Sequence, residues 1–430
     1  MEGRSPRQPD DSGFRSSKDD AWLIEWGLVC LMGLIVIAAV VAMAHSGVPF
    51  LWLAVAAGTM FLLAACLSAG SLGKAVWINV AVVVLTCGLL EGYYWIREPL
   101  NRQMEYSEGF FVRDELLGYR PAHSRSVSHV TKVRDQLLYR VTYTIDDHGL
   151  RVAEPPEGSS AKTDACLVFF GDSFTFGEGV PDEATMPYRV GLKLRDSFRT
   201  VNFGFLGYGP HQMLATLEED RIDALGTCRP RHVVYQAIAA HVSRVAGLEP
   251  WDQHGPRYVL TEDGRVRRAG HFDDAYPETL LDAFRRFHHG LTTTWQRRLE
   301  QSALYRMLLR SHRPVTERDV ELFTRVIGVA KQVIHQQYPE AAFHVLLWDF
   351  EKDRSVLPAI ERGLERQGVQ VHSMSAVLPG LRAEESKYEI SSYDRHPNER
   401  AHELIAEYVA NHIATPDSRM TVATVTATSR

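Results

Sequence analysis

Two segments of this 430-residue sequence carry residue types that could perform nucleophilic chemistry on a carbonyl group. One is Gly171-Asp172-Ser173, and the other is Asp394-Arg395-His396 near the C-terminus. A serine hydroxyl becomes a nucleophile only when a base takes its proton, and the base needs an acidic partner that fixes its tautomer. Residues two apart in an extended segment project to the same side, so Asp394 could hold His396 while His396 faces the serine.

Each segment alone also has a plain structural interpretation. Gly, Asp and Ser are ordinary turn residues, and the segment around His396 and Pro397 could be a turn with a surface histidine. Asn398 is a favourable N-cap, so we predict that a helix begins directly after this segment and anchors it.

A glycine-rich loop, Asn202–Gly209 (NFGFLGYG), is the third candidate segment. Glycines let a backbone N–H approach a substrate oxygen closely, as an oxyanion hole requires. The spacing does not match the G-x-G-x-x-G fingerprint that opens a dinucleotide-binding helix. The loop therefore indicates backbone stabilisation of a developing anion and not a nucleotide site.

Taken in order, the three segments resemble the SGNH/GDSL hydrolase superfamily over roughly residues 165–413, interrupted by an insertion. The resemblance implies a flavodoxin-like five-stranded parallel sheet with helices on both faces. It implies that Ser173 is the nucleophile, His396 the base and Asp394 its orienting acid. It also implies that the backbone N–H groups of Ser173 and Gly207 form the oxyanion hole, and that no cofactor is needed.

One departure from the family pattern concerns the third oxyanion donor. The family supplies it from a Gly-x-Asn-Asp motif, whereas residues 239–244 read Ala-Ala-His-Val-Ser-Arg, without an Asn. We expect an imidazole N–H of His241 to donate instead. The alternative is that His241 only packs or pairs locally.

Strands and helices alternate through the second half of the chain, which favours a parallel sheet covered by helices. Ala165–Phe170 is a continuous apolar run that ends at the candidate serine turn, where sites of parallel sheets form. The predicted strands are Ala165–Phe170, Thr200–Phe203, His232–Ile238, Ala342–Trp348 and Val369–Val371; the predicted helices are Glu183–Leu194, Gln212–Leu225, Glu317–His335, Val356–Arg366 and Glu399–His412.

The N-terminal part contains three uncharged apolar runs, Trp26–Ala44, Val48–Gly70 and Ala75–Leu90, the last closed by an aromatic cluster. Their length and composition predict three transmembrane helices, at about residues 26–44, 48–70 and 75–95. Basic residues in the first 20 positions favour a cytoplasmic N-terminus, which would place the rest of the chain outside the cytoplasm.

The predicted organisation is therefore a disordered cytoplasmic tail (1–20), a transmembrane region (21–95), a connector (96–161), and a hydrolase-like domain (162–414). That domain contains an insertion at 244–316 with a hairpin, and a disordered tail (415–430) follows it. The connector includes a strand, Leu137–Ile145. Cys166 and Cys228 could form a disulfide outside the cytoplasm or remain buried thiols.

Other classes of site are not favoured. The net charge of −6 and the lack of a Lys/Arg stripe do not favour nucleic-acid binding. The cysteine spacing matches no zinc motif, and His396 with His402 lacks a convincing third metal ligand. We interpret His288, His289 and His402 as ordinary surface residues.

The expected function is that of a membrane-anchored serine esterase acting on acyl esters, acetyl esters first among them, of cell-surface or exported polysaccharide. Its expected partners are an ester substrate and the lipid bilayer. Two alternatives remain at this point: an O-acyltransferase that uses the same triad, and a catalytically silent carbohydrate-binding or assembly protein on the same fold, which the missing Asn would favour.

Overall fold

The computed structural model describes residues 50–68, 70–97, 102–133, 136–154, 164–226, 228–275, 299, 302–310 and 313–414. These residues form two compact units, one made of residues up to 97 together with 299–310, and the other of the remaining residues. The predicted first apolar run, the two predicted tails and His288–His289 lie outside the described residues.

The strands of the described chain are β1 Arg102–Tyr106, β2 Phe111–Asp114, β3 Gly118–Pro121, β4 Arg125–Val133, β5 Gln136–Ile145, β6 Ala165–Phe170, β7 Arg199–Asn202, β8 Arg229–Ala237, β9 Pro256–Leu260, β10 Val266–His271, β11 Ala342–Leu347, β12 Gln370–Ser373, β13 Glu389–Ser391 and β14 Asp394–Pro397. The helices are α1 Phe50–Leu67, α2 Ser71–Arg97, α3 Ser173–Phe176, α4 Met186–Leu194, α5 Pro210–Glu218, α6 His241–Val245, α7 Ala303–Arg310, α8 Glu317–Gln337, α9 Leu357–Arg366, α10 Met374–Val377 and α11 Glu399–Tyr408.

A five-stranded parallel sheet forms the centre of the second unit, in the order β12-β11-β8-β6-β7. This is the flavodoxin-like order, in which ligands bind past the carboxyl ends of the two strands at the switch point, here β6 and β8. The predicted α/β class and five-stranded parallel sheet are confirmed. The order also explains why segments far apart in sequence meet at one edge.

Two hydrophobic clusters cover the two faces of this sheet. One contains side chains of α5, α8 and α9, and the other contains side chains of α4 and α11. β6 contributes to both, because Cys166 and Phe169 point to opposite faces and both are fully buried. This burial on both faces is why the strand reads as a continuous apolar run.

The predicted connector is a structured part of the second unit. It contains the antiparallel sheet β1-β4-β5 and the hairpin β2-β3. A third cluster packs these strands, through residues such as Phe110 and Tyr143, against Phe176 and Phe205 of the hydrolase-like part. The connector therefore reaches the loops that follow β6 and β7.

A disulfide joins Cys166 and Cys228, whose Cα atoms are 5.5 Å apart. Cys166 lies in β6 and Cys228 directly precedes β8, so the bond ties together the beginnings of the two central strands. The two cysteines are therefore bonded to each other and are not buried free thiols.

Helices α1 and α2 of the first unit correspond to the second and third predicted apolar runs. Both are long and apolar enough to cross a membrane. The described residues thus contain two such helices, whereas three were predicted over the whole chain. They pack against each other, with the ring of Phe61 stacked on that of Trp77 at 5.4 Å.

Glu91 of α2 is a nearly buried carboxylate in this apolar unit. Its Oε1 accepts a hydrogen bond from the backbone N–H of Ala303, and its Oε2 accepts from the hydroxyl of Ser302 and the N–H of Leu304. Free N–H groups at a helix N-terminus favour a negative charge, so Glu91 caps α7.

The structure corrects several details of the sequence prediction. α4 begins at Met186 and not at Glu183, because Thr185 caps it and Pro187 fits only in a first turn. The helix predicted to end at Leu225 ends at Glu218. His402 is buried and not on the surface, and its Nδ1 accepts the N–H of Met186 at 3.0 Å.

Buried histidines make stability depend on pH. Burial, the largest cause, lowers the pKa of His241 to about 4 and that of His344 and His402 to about 3, from an ordinary value of 6.5. Below pH 6.5 the unfolded chain binds protons that the folded chain does not. We predict that the free energy of unfolding falls as pH falls, by about 2 kcal/mol per histidine at about pH 5.

Thermal unfolding of the full chain in detergent at about pH 7.5 and pH 5 measures this effect. His402→Gln, which keeps an acceptor for the Met186 N–H, should lose less stability between the two pH values than the wild type. His148→Gln, at an exposed histidine, is the control and should keep the wild-type dependence. An unchanged slope in His402→Gln would contradict the assignment.

Candidate active site

Ser173 stands on a sharp turn at the end of β6. Gly171 has φ +153°, and a Cβ there would lie 2.1 Å from Thr175 Oγ1, so only glycine fits. Asp172 is the N-cap of α3, and its carboxylate accepts the N–H of Phe174 at 3.0 Å. Ser173 is thereby fixed as the first residue of a short rigid helix.

The structure brings the three predicted catalytic residues together. His396 Nε2 is 2.8 Å from Ser173 Oγ, and His396 Nδ1 is 2.5 Å from Asp394 Oδ1. Asp394 is fully buried. Both residues lie in β14, and the predicted N-cap Asn398 accepts the N–H of Ala401 at 3.0 Å, so α11 anchors this strand as expected.

Tyr139 of β5 completes the hydrogen bonds of Asp394. Its hydroxyl donates to Asp394 Oδ2 at 2.7 Å, leaving Oδ1 to the histidine. Burial, and after it the charge of Asp394, raises the pKa of Tyr139 far above its usual range, so the phenol stays protonated and remains a donor. Sequence analysis missed this residue, because it lies in the predicted connector.

The glycine loop lies beside the serine turn. The N–H of Phe205 donates to the carbonyl of Gly171 at 3.3 Å. Gly207 has φ +78°, and a Cβ on it would lie 2.5 Å from Tyr119 Oη and 2.8 Å from Trp251 Nε1, so a side chain is excluded. Among the described residues, the backbone N–H groups of Ser173 and Gly207 have no protein acceptor and are available to a ligand.

His241 lies in a fully buried position next to Asp172. It is fully buried, its Nδ1 accepts from the hydroxyl of Tyr235 at 2.6 Å, and its Nε2 is 3.2 Å from Asp172 Oδ2. Tyr235 therefore occupies Nδ1, which is the local pairing that the sequence left open as the alternative. Nε2 is a buried nitrogen beside Asp172 with no hydrogen-bond partner among the described residues. Donation from His241 to a substrate oxygen remains a prediction.

Arg244, three residues further on, links the two loops of the site. Its guanidinium donates to Asp172 Oδ2 at 2.8 Å and to the carbonyl of Tyr208 at 2.7 Å. Burial raises the pKa of Asp172, but Arg244 and then His241 outweigh it and hold that pKa well below its usual range. Asp172 is therefore a buried anion whose partners join the serine turn to the glycine loop.

Glu178 is a second acidic residue at the histidine. Its Oε2 is 3.1 Å from His396 Nε2, and its Oε1 accepts the hydroxyl of Tyr106 at 2.7 Å. Sequence analysis did not select it, although its place between Gly177 and Gly179, just past the serine helix, was a usable signal. Among the described residues, no group of three or more His, Cys, Asp or Glu side chains could hold a metal ion.

Comparisons with known proteins give matches at the level of structure alone. No family model and no curated protein matches the chain. A lipolytic protein of the G-D-S-L family from Veillonella parvula is 13% identical, with a TM-score of 0.31, over 58% of this chain and 98% of its own. An acetyl xylan esterase from Butyrivibrio proteoclasticus is 12% identical, with a TM-score of 0.30, over 58% of this chain and 62% of its own.

A carbohydrate esterase family 2 enzyme from Corynascus thermopiles is 15% identical, with a TM-score of 0.30, over 66% of this chain and 75% of its own. The structures that this chain resembles thus include GDSL-family lipolytic proteins and carbohydrate esterases, as the motifs indicated. Because the TM-scores lie near 0.3, we draw the function from the geometry of this chain's own residues.

We predict that Tyr139→Phe lowers the rate of acylation of Ser173 by about tenfold, because a hydrogen bond to the charged Asp394 is lost. Substrate binding should change little. Tyr338→Phe is a matched control, since it removes a similar tyrosine–aspartate bond, to Asp223 at 2.6 Å, away from the triad. Stopped-flow acylation by an activated ester measures both, and equal rates in the two variants would remove Tyr139 from the site.

Proposed function

We propose that this chain is a membrane-anchored serine esterase that cleaves acyl esters of carbohydrate through an acyl-enzyme on Ser173. One observation carries the proposal. The hydroxyl of Ser173, the imidazole of His396 and the carboxylate of Asp394 form a continuous chain of contacts, 2.8 Å and 2.5 Å long, beside two available N–H groups. This is the arrangement that acyl transfer through a serine requires.

In the acylation step, Ser173 Oγ attacks the ester carbonyl carbon while His396 Nε2 takes the hydroxyl proton. The carbonyl oxygen becomes an oxyanion, which accepts the N–H groups of Ser173 and Gly207. As the tetrahedral intermediate collapses, Nε2–H returns the proton to the oxygen of the leaving alcohol. The acyl group then remains on Ser173.

In the second step, a hydroxyl compound attacks the acyl-enzyme, with His396 again taking its proton. Water as the attacking compound releases a carboxylic acid and restores Ser173, which makes the protein an esterase. A sugar hydroxyl would instead form a new ester. We propose hydrolysis, because it requires no binding site for a second substrate.

Two exposed aromatic side chains support a carbohydrate substrate. Trp251, with 52% of its surface exposed, lies against Gly207, and Tyr393, with 49% exposed, directly precedes Asp394. A flat apolar ring with a polar edge suits the C–H face of a sugar and its hydroxyls. Acetyl is the acyl group that we propose to test first.

Three features support an anchored protein whose hydrolase-like unit lies outside the cytoplasm. Helices α1 and α2 have the length and composition of membrane-spanning helices. The Cys166–Cys228 disulfide is of a kind that persists in oxidising compartments and is rare in the cytosol. The excess of basic residues before the first apolar run favours a cytoplasmic N-terminus. If that run is a third crossing beside α1 and α2, as the sequence predicts, the hydrolase-like unit lies outside the cytoplasm.

The nucleophile is tested with a fluorophosphonate probe. We expect wild-type protein to be labelled on Ser173 and to cleave acetyl esters of a carbohydrate. Ser173→Ala should abolish labelling, His396→Ala should greatly reduce it, and Asp394→Asn should slow it by favouring the wrong tautomer. Mass spectrometry of the labelled peptide identifies the site.

Ser243→Ala is the control for Ser173→Ala, because the Ser243 hydroxyl donates to Ala240 and Glu249, on either side of α6. It should keep wild-type labelling. If wild-type protein takes up no probe and cleaves no acetyl or longer acyl ester, the proposal fails. Adding a polysaccharide acceptor to the same assay distinguishes hydrolysis of the acyl-enzyme from acyl transfer, since transfer would yield a newly acylated sugar.

The location is tested by fusing, after Arg430, a reporter that folds only outside the cytoplasm. We expect the reporter to be active, and peptide mapping without reductant to recover Cys166 and Cys228 in one linked pair. Cys166→Ala should lower the free energy of unfolding by about 4 kcal/mol in the chain-entropy account of a loop of this length. If this reporter is inactive, and a second reporter that works only in the cytoplasm is active at the same position, the orientation is ruled out.

A further inference from the structure

The imidazole that serves Ser173 has a carboxylate at each of its nitrogens. Asp394 Oδ1 lies at Nδ1, as a triad requires. Glu178 Oε2 lies 3.1 Å from Nε2, the same atom that is 2.8 Å from Ser173 Oγ. Nothing in the serine–histidine–aspartate arrangement calls for this second carboxylate.

Glu178 is held in place and is not a mobile surface side chain. Its carboxyl side chain is 5% exposed, its backbone N–H donates to the carbonyl of Ser173 at 2.9 Å, and Tyr106 binds its Oε1. The fully buried guanidinium of Arg151 donates to the carbonyls of Phe176, Gly177 and Val180, which fixes the turn around it. The contact between Glu178 and His396 is therefore part of the folded site.

Whether Glu178 and His396 attract or repel each other depends on whether Nε2 of His396 carries a proton. A neutral imidazole whose Nδ1–H bonds Asp394 presents a lone pair at Nε2, and a carboxylate oxygen facing that lone pair is repelled. Once Nε2 carries a proton, the same contact becomes a charge-assisted hydrogen bond. A nearby opposite charge favours the charged form of a titratable group, so Glu178 favours the imidazolium of His396.

We propose that Glu178 is a further catalytic residue, which accepts the Nε2–H of the His396 imidazolium and makes His396 a stronger base. The inference rests on the proposed esterase function. The proton leaves Ser173 Oγ, is held on Nε2 against Glu178 while the tetrahedral intermediate exists, and passes to the leaving alcohol. Glu178 neither gains nor loses a proton in these steps. At low pH the same charge keeps His396 protonated before substrate arrives, so Ser173 is not activated.

Other charged and titratable groups lie around Glu178 and His396, and all of them except Tyr106 are unchanged in the variants described next. Burial and then the charge of Glu178 raise the pKa of Tyr106 far above its usual range, and burial likewise raises that of Tyr139 and Tyr143, so these phenols remain neutral donors. The remaining groups are the acid Asp394, the cation Arg151 and the buried, neutral His402.

The test measures the rate of Ser173 acylation by a fluorophosphonate and by p-nitrophenyl acetate from about pH 5 to pH 9, on the full chain in detergent. Glu178→Gln removes the charge at nearly constant shape. We call the low-pH part of the rate profile, in which the acylation rate rises with pH, the acid limb. In Glu178→Gln we expect the acid limb to move to lower pH by about one unit. We expect the plateau of this variant at high pH to fall about threefold or more, since a weaker base assists less. The two profiles should therefore cross.

Glu178→Asp keeps the charge and should keep the acid limb near its wild-type position. Tyr106→Phe, which loosens Glu178, should move the limb in the same direction as Glu178→Gln but less far. Glu183→Gln, at an exposed carboxylate of the following turn, is the matched control and should give the wild-type profile.

A residue with only a structural role would lower the rate at every pH and leave the limb where it is. Parallel profiles of wild type and Glu178→Gln, or an acid limb that does not move, therefore overturn this proposal. These results differ from those that would contradict the proposed esterase function, because in that case the wild type itself would show no acylation of Ser173.

Discussion

A carboxylate without access to water must be compensated inside the protein, and the site depends on how this is done for Asp172. The residue caps the helix that carries Ser173, so it must lie under the turn after β6. Arg244 supplies the compensating charge and also holds the carbonyl of Tyr208. One buried ion pair thus fixes the distance between Ser173 and the glycine loop. Removing either partner would leave an unpaired buried charge, which typically costs about 3–5 kcal/mol.

Local sequence signals predicted the central sheet, and three segments taken together predicted that Ser173, Asp394 and His396 meet. A strand buried on both faces has a continuous apolar pattern, and the serine turn needs a glycine that sterics alone select. β14 and the helix after it are likewise specified locally, because Asn398 caps α11 within the same segment. These parts of the fold depend on contacts between residues that are close in sequence, so one amino-acid sequence is enough to predict them.

The residues that sequence analysis missed act across long separations. Tyr139 reaches Asp394 over 255 positions, and Arg244 reaches Asp172 over 72. His241 was predicted as a donor because it stands where the family pattern has an asparagine, and the sequence could not show that its ring lies between Tyr235 and Asp172. Packing decides which face of a short helix is turned toward the site. A helix of five residues is too short for its hydrophobic pattern to predict that face.

The cap that Glu91 places on α7 joins parts of the chain that are synthesised far apart, since Ser302 follows Glu91 by 211 positions. Helix α2 is therefore tied to a helix from the middle of the chain. A shortened protein that begins after α2 would retain α7 while losing the carboxylate that satisfies its first N–H groups. Such a protein would expose a helix end and the apolar side chains packed behind it, and would tend to aggregate for reasons unrelated to the hydrolase-like sheet. Purification with the helices in detergent, or removal of α7 together with them, avoids that artefact.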